Sequence, residues 1–339
     1  MITRHSLPSI LIVGGLFTIA AVVLGVSVGS TTVSFATALE VMLDHLLPGD
    51  LDTSAQADAI VWGIRMPRVL VALLAGAILG VAGTVLQGAL RNPLADSQLV
   101  GLSAAASVGA LSGYWIGYAS SGSTVAILLG AAAGAVGAQA VWWLARRVGG
   151  EPTRFILVGI GMGLGLAALV ATASIAIHDP RIPDVTFWFF GGLGAANWTV
   201  VAVVGFFAVV TVGGLFPFAR MLDVLSLGHN AASHVGLNVG RVSAGALAFV
   251  GLGVGATVGA IGVVGFVGLV AGRVAFSTVG PQHRLAIPAS AFTGAIFVAL
   301  ADTIGRVGGR GFEVPIGLIT TVLGGAYLVY LITTRRLAV

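Results

Sequence analysis

Two residue types are missing from this chain, and each absence excludes a class of chemistry. The 339 residues include no cysteine and no lysine, so all 16 basic residues are arginine. Without cysteine there are no disulfides, thiolate metal sites or cysteine nucleophiles. Without lysine there is no nucleotide-binding P-loop, because the P-loop lysine contacts the phosphates. Any ATP-driven activity therefore requires a separate ATPase subunit.

Charged side chains are also scarce, and they lie between long uncharged runs. They make up 8% of this chain, against about 25% in soluble domains. Hydrophobic residues make up 57%, and the mean hydropathy is +1.06. About 20 apolar residues in a helix cross a bilayer core of ~30 Å. The composition therefore predicts an all-α, polytopic bundle of transmembrane helices in a single domain, 1–339. The uncharged runs are 9–29, 69–90, 97–145, 155–177, 185–219, 242–272, 285–301 and 314–334.

These runs predict about ten transmembrane helices. Residues 97–145 are long enough to cross twice, with a turn-like break near 118–123. The stretch 242–279 carries a single charge and can split near 262–268 into a long and a short span.

The arginines predict the orientation of these helices. Arg4 lies near one end of the chain, and Arg335 and Arg336 lie near the other. If both termini face the cytoplasm, the number of crossings is even. With ten spans, eleven arginines fall on the cytoplasmic side and five outside, as the positive-inside rule requires. Topology thus accounts for the net charge of +4, and no nucleic-acid partner is expected.

The stretch from Arg65 to Gly101 has the most distinctive pattern in the chain. Arg65 and Arg68 precede the uncharged run 69–90, which ends in the sequence Arg91-Asn92-Pro93-Leu94-Ala95. The run contains Gly76, Gly80 and Gly83, and such small residues let transmembrane helices approach closely. The pattern predicts one helix of a tightly packed bundle.

The connection 220–241 on the cytoplasmic side predicts a helical hairpin. Met221–Leu227 and Asn230–Leu237 can each form a short helix, with Gly228 and His229 at the bend. A partner subunit could bind such a hairpin. His229 and His234 are five residues apart, which does not match the i, i+4 spacing of a helical metal-binding pair, so no metal site is predicted.

Two segments are predicted to lie outside the membrane. The loop 30–64 is acidic and contains no arginine, and the next arginine is Arg65, directly after it. The aromatic segment 186–192 is too short to cross, and it could form either a half-helix at the surface or a simple interfacial anchor.

Short motifs recur in a fixed order along most of the chain. They are Arg65-x-Pro67-Arg68, Gln87, Arg91 to Ala95, Phe187-Trp188-x-x-Gly191, Leu225 to Gly228, Val235 to Val239, Gly265 to Leu269, Gly280-Pro281-x-His283-Arg284, Pro288-x-Ser290, Ala301-Asp302, Arg306 and Glu313-x-Pro315-x-Gly317. Each motif is weak by itself, but their order and spacing together resemble the FecCD-type permeases, which import iron–siderophore complexes, haem or vitamin B12.

The resemblance implies a transport subunit of the bacterial cytoplasmic (inner) membrane that is not itself an enzyme. Two permease subunits, as a homodimer or a heterodimer, would enclose a path in the lipid membrane. Two ATPase subunits would hold ATP and magnesium, and an external binding protein would deliver the substrate. This chain would bind no cofactor of its own.

The resemblance also implies roles for individual residues. Arg65, Arg68 and Arg306 match arginines that dock acidic residues of the binding protein. The hairpin, about 221–238, matches the helices that couple to the ATPase. The coupling residues are Leu225, Ser226, Leu227, Gly228, His229, Val235, Gly236 and Leu237, and the candidate inner gate is Asn92, Leu94 and Thr153.

The sequence departs from the family pattern at two places. Gly272 and Arg273 occupy the usual Pro-His positions, and Gly324-Gly325-Ala326 stands where Gly-Ala-Pro is usual. These changes raise the alternative that the chain pairs with a different permease.

Two other classes of membrane protein fit the sequence less well. An ion-coupled secondary transporter usually needs a buried carboxylate or a broken helix at the membrane midplane. The only acidic residue expected within a span is Asp302, near the outer end, where i, i+4 spacing predicts a pair with Arg306. An intramembrane enzyme is disfavoured because the HExxH motif is absent. The iron–siderophore, haem and vitamin B12 substrates are not distinguished, and the siderophore is expected as the most common use of the family.

Overall fold

The structure is a computed structural model that describes residues 6–29, 33–47, 53–116, 122–149, 151–176, 189–308 and 313–334, without the side chains of Gly122 and His229. Both chain ends, with Arg4, Arg335 and Arg336, lie outside the described residues, as do residues 186–188 of the aromatic segment 186–192. The orientation of the termini and the half-helix therefore stay predictions.

Fourteen helices can be followed through the described residues. They are α1 (Leu7–Ser27), α2 (Phe35–Leu46), α3 (Ala55–Asp58), α4 (Met66–Leu90), α5 (Leu102–Ile116), α6 (Gly122–Arg147), α7 (Pro152–Ala176), α8 (Trp198–Leu215), α9 (Ala219–Ser226), α10 (His229–His234), α11 (Val239–Ile261), α12 (Val267–Val279), α13 (His283–Gly308) and α14 (Ile316–Thr333).

The architecture confirms the prediction of an all-α membrane bundle of about ten spans. Eight helical segments are long and apolar enough to cross a membrane, and α5 and α12 are two shorter apolar helices. The long run 97–145 divides between α5 and α6, as predicted. The stretch 242–279 divides between α11 and α12, where Gly262 and Phe266 both adopt positive φ angles, of 74° and 65°.

The predicted acidic loop 30–64 contains helical structure that the sequence interpretation missed. In α2 the hydroxyl of Ser34 accepts a hydrogen bond from the backbone N–H of Thr37, and this N-cap starts the helix. A π-helical segment, Ala59–Arg65, then leads directly into α4. The apolar residues of α2 recur at helical spacing and bury one face, which an interpretation of the loop from its charges alone does not reveal.

The connection between α4 and α5 turns back into the bundle. Arg91 ends α4 with a positive φ of 48°. Asp96 is buried, and its Oδ2 accepts a hydrogen bond of 3.1 Å from the backbone N–H of Leu269 in the first turn of α12. Its Oδ1 accepts one from the N–H of Gln98. The carboxylate therefore caps α12 from another part of the chain. Asp96 is thus a buried carboxylate in the connection between two helices, and the sequence interpretation did not identify it.

Helix α4 is the centre of the bundle. All of its side chains except Leu70, Leu74 and Ala77 are buried. Glycines bring its backbone against two neighbouring helices, so that a methyl group added at Gly76 would overlap the carbonyl oxygen of Gly294 in α13. Small residues serve this purpose at helix interfaces within membranes.

Filling the contact between α4 and α12 is expected to destabilise the protein. In Gly83→Ala the new methyl group would overlap the backbone of Gly268, which has no side chain to move aside. Overpacking of this kind typically destabilises by about 1–3 kcal/mol. The matched control is Gly325→Ala in α14, where the methyl group would enter open space. Thermal unfolding in detergent should show a lower midpoint for Gly83→Ala only, and equal midpoints would contradict the packing.

Candidate docking and coupling sites

Five charged residues form a cluster at one end of the bundle, and they come from the π-helical segment Ala59–Arg65, from α4, from α13 and from the start of the segment 313–334. We call Arg65, Arg68, Asp302, Arg306 and Glu313 the arginine cluster. Arg68 donates from Nε and Nη2 to Asp302 Oδ1, at 2.9 and 2.8 Å, and from Nη1 to Glu313 Oε1 at 2.9 Å. Arg68 thus joins α4 to α13 through Asp302, and to the residues just before α14 through Glu313. Hydrogen bonds between charged groups in this geometry are stronger than those between neutral groups.

The other two arginines bind the C-terminal end of α1. Arg65 Nη1 donates to the carbonyl oxygens of Val26 and Ser27, at 2.8 and 3.1 Å. Arg306 donates to the carbonyl oxygens of Gly25 and Val28, at 2.7 and 2.8 Å. The last carbonyls of a helix lack partners within it and carry partial negative charge, so the cationic side chains complement them.

Asp302 and Arg306 form the i, i+4 pair that their spacing predicts. Arg306 Nε lies 3.0 Å from Asp302 Oδ2. Neither atom makes a hydrogen bond, because the angle between them is unfavourable, so the contact is an ion pair without a hydrogen bond. The pair confirms the spacing argument. The longer-range contact of Asp302 with Arg68 gives no local signal in the sequence.

The structure brings together the three arginines predicted to dock a binding protein, but it buries them. Arg65, Arg68 and Arg306 are 4%, 9% and 8% exposed. Their guanidinium groups contact this chain's own carboxylates and carbonyls. Glu313, with its side chain 58% exposed, is the most accessible member of the cluster. A role of the arginines in docking stays a prediction. A binding protein that contacts Arg68 would do so beside Glu313.

The opposite end of the bundle carries the helical hairpin. Helices α9 and α10 confirm the two short helices, and Gly228 forms the bend with a φ of 119°, where a side chain would be strained. Leu225 is fully buried and anchors the hairpin. Leu227 and Val235 are 73% and 71% exposed. Two apolar side chains thus project from this end of the molecule.

The remaining predicted coupling residues shape the hairpin. Ser226 donates a hydrogen bond of 2.6 Å to the carbonyl oxygen of Asp223. Gly236 ends α10 with a φ of 82°, and the N–H of Leu237 returns to the carbonyl oxygen of Ala232 at 3.0 Å. The backbone of His229 begins α10.

The candidate gate residues do not form one site in this structure. Asn92 accepts a hydrogen bond of 2.9 Å from the backbone N–H of Leu94, which stabilises the turn after α4. Asn92 also lines a cavity of about 550 Å³ together with Arg273, the residue that departs from the family pattern. Thr153 is exposed in the first turn of α7 and does not line that cavity. The gate stays a prediction.

Within the described part of the chain, no group of three or more histidine, aspartate or glutamate side chains could hold a metal ion.

Removing the Asp302 carboxylate is expected to destabilise the protein more than removing that of Glu313. Asp302→Ala leaves Arg68 and Arg306 buried without their shared counter-charge, and breaking a buried pair typically costs about 3–5 kcal/mol. Glu313→Ala removes an exposed partner, and exposed pairs contribute about 0–1 kcal/mol. Thermal unfolding in detergent should give a clearly lower midpoint for Asp302→Ala. Similar unfolding midpoints for the two variants would show that Asp302 does not stabilise the arginine cluster more than Glu313 does.

Comparison with known proteins gives one consistent family. Residues 17–334 match the FecCD transport family. The hemin transport system permease protein HmuU of Yersinia pestis is 34% identical over 281 residues, which cover 81% of this chain and 84% of the relative. The cobalamin import system permease protein BtuC of Halobacterium salinarum is 34% identical over 285 residues, 83% of this chain and 75% of the relative. The Fe(3+)-citrate import system permease protein YfmD of Bacillus subtilis is 30% identical over 313 residues, which cover 92% of this chain and 91% of the relative.

A solved structure shares the fold. It is described as a metal-chelate type ABC transporter in an inward-facing conformation, and it superposes with a TM-score of 0.78. The superposition covers 97% of this chain and 99% of that one, at 23% sequence identity. Because the family match extends over almost the whole sequence and the helices form the expected bundle, this chain belongs to the FecCD transport family and is a permease of the ABC importer type.

Proposed function

We propose that this chain is the membrane subunit of an ATP-driven importer for an iron–siderophore complex. A binding protein delivers the complex outside the cell, and the complex then passes between two permease subunits of the inner membrane. ATP and magnesium are held by two partner ATPase subunits. Haem or vitamin B12 is the alternative substrate, because relatives at 34% identity are named for hemin and cobalamin.

The hairpin end supports the coupling role. Leu227 and Val235 are exposed at the end of the bundle opposite the arginine cluster. Exposed apolar side chains on a polar hairpin, outside the apolar helices, are typical of a protein contact. We assign the hairpin to the cytoplasm and to the ATPase, and the arginine cluster to the outer face.

The arginine cluster supports docking through an exchange of carboxylates. Glu313 neutralises the Nη1 side of Arg68 while remaining largely exposed. An acidic side chain of the binding protein could take its place there without disturbing the buried pair of Arg68 with Asp302. The cluster would then keep its internal structure whether or not the binding protein is present.

This exchange predicts the effect of neutralising Glu313. Glu313→Gln removes the carboxylate that competes for Arg68, so the affinity of the assembly for its binding protein should rise at low salt. An exposed charge pair contributes about 0.2–1 kcal/mol, which corresponds to roughly a 1.4- to fivefold change in Kd. The affinity is measured with the purified permease–ATPase assembly at low and high salt.

The matched control for Glu313→Gln makes the same change at the other end of the bundle. Glu151 is 67% exposed and pairs with Arg154 at 3.6 Å, and Glu151→Gln should leave the affinity unchanged. Weaker binding of the Glu313→Gln assembly would show that Glu313 itself is recognised, and the exchange would then be wrong.

Uptake in a strain deleted for this chain tests the substrate. Labelled ferric siderophore, haem and cobalamin are compared with and without the restored chain. We expect loss and rescue of siderophore uptake alone. Rescue of haem or cobalamin alone would assign the alternative substrate, and failure to rescue any of the three would contradict the proposed function.

A further inference from the structure

A contact between an aspartate and a histidine joins the hairpin to the transmembrane bundle, and the proposed function assigns it no role. Asp223 lies on α9, and His283 is the first residue of α13. Asp223 Oδ1 accepts a hydrogen bond of 2.8 Å from the backbone N–H of His283, and it lies 2.7 Å from the ring Nδ1. The carboxylate thus holds both the start of α13 and its first side chain. We call this contact the Asp223–His283 clamp.

The histidine is fixed on its other sides by packing. Its side chain is 2% exposed, whereas that of Asp223 is 34% exposed. The ring packs edge-to-face on Phe276 of α12, with 5.2 Å between ring centroids. Its Nε2 faces Gly88 of α4, where an added methyl group would overlap it, and Nε2 has no hydrogen-bond partner. Its only polar side-chain partner among the described residues is therefore Asp223.

Helix α13 leads from this clamp to the arginine cluster. It is 26 residues long, which corresponds to about 39 Å at 1.5 Å per residue. Its far end carries Asp302 and Arg306, and its middle packs on α4 through Gly294. If α13 moves together with the hairpin, the movement would therefore be carried along one continuous helix to the arginine cluster at the opposite end of the bundle.

We propose that Asp223 and His283 are positioning residues that make the hairpin and α13 move as one unit, so that ATPase movements are passed to the bundle. The inference rests on the proposed function, in which the hairpin contacts the ATPase. The clamp acts through α13 and does not touch the substrate.

The decisive quantity is the number of substrate molecules transported per ATP hydrolysed by the reconstituted assembly. We expect Asp223→Ala and His283→Ala to lower this ratio severalfold, while the ATPase stays bound and continues to hydrolyse ATP. Asp223→Asn and His283→Asn keep an acceptor and a donor at these positions, so both should retain most of the ratio. A purely structural contact would instead lower assembly, hydrolysis and transport together.

The matched control is another histidine–aspartate pair among the described residues. His45 and Asp58 lie 3.4 Å apart, are 30% and 42% exposed, and belong to the α2–α3 region at the other end of the bundle. His45→Ala should leave the ratio at the wild-type value. Wild-type ratios in both Asp223→Ala and His283→Ala would overturn the proposal, as would a joint loss of assembly and hydrolysis in both.

A crosslink tests the same idea without relying on alanine variants that fold poorly. The chain has no cysteine, so Asp223→Cys combined with His283→Cys introduces the only thiol pair in this subunit. If the hairpin and α13 move together, the oxidised variant should transport with near wild-type coupling and the reduced one should not. Loss of transport on oxidation, with hydrolysis intact, would overturn the proposal.

The wild-type assembly separates this inference from the function on which it rests. Wild-type ATP hydrolysis without uptake of any tested substrate would refute the proposed function. Coupled wild-type uptake, together with unaffected clamp variants, would refute the clamp alone.

Discussion

The backbone contact between α4 and α13 is the interaction on which the rest of the structure depends. Within a membrane, apolar side chains gain little by moving from lipid to protein, so helix association depends on close packing. Gly76 and Gly294 let the two helices approach until only backbone lies between them. This contact places Arg68 beside Asp302 at one end and Gly88 beside His283 at the other. Both charged sites therefore depend on the same helix pair.

The arginine cluster shows how buried cations are tolerated in such a bundle. A buried charge is strongly unfavourable unless it is paired and hydrogen-bonded. Two carboxylates neutralise part of the charge of three arginines, and the terminal carbonyls of α1 supply the remaining acceptors. The cluster thereby fixes three helices to one another. It also leaves Glu313, at its surface, as the group that a partner could replace.

Much of the fold follows from hydropathy, whereas the charged contacts do not. Uncharged runs predicted the helices, and the glycines around 228 predicted the hairpin, because both signals are local. The i, i+4 spacing likewise predicted the pair of Asp302 with Arg306. The contacts of Arg68 with Asp302 and of Asp96 with Leu269 join positions far apart in the chain. Such contacts depend on how the helices pack, and a single sequence contains no periodic signal for them.

A distance measurement tests directly whether the hairpin and α13 move as one rigid unit. Leu227 on the hairpin and Val307 near the far end of α13 are 73% and 55% exposed, and the chain has no native cysteine. Spin labels on Leu227→Cys and Val307→Cys report the distance between the two ends by pulsed electron paramagnetic resonance. Through the ATP cycle, the account predicts a shift within about 2 Å. A shift of about one helical turn, ~5.4 Å or more, would contradict it.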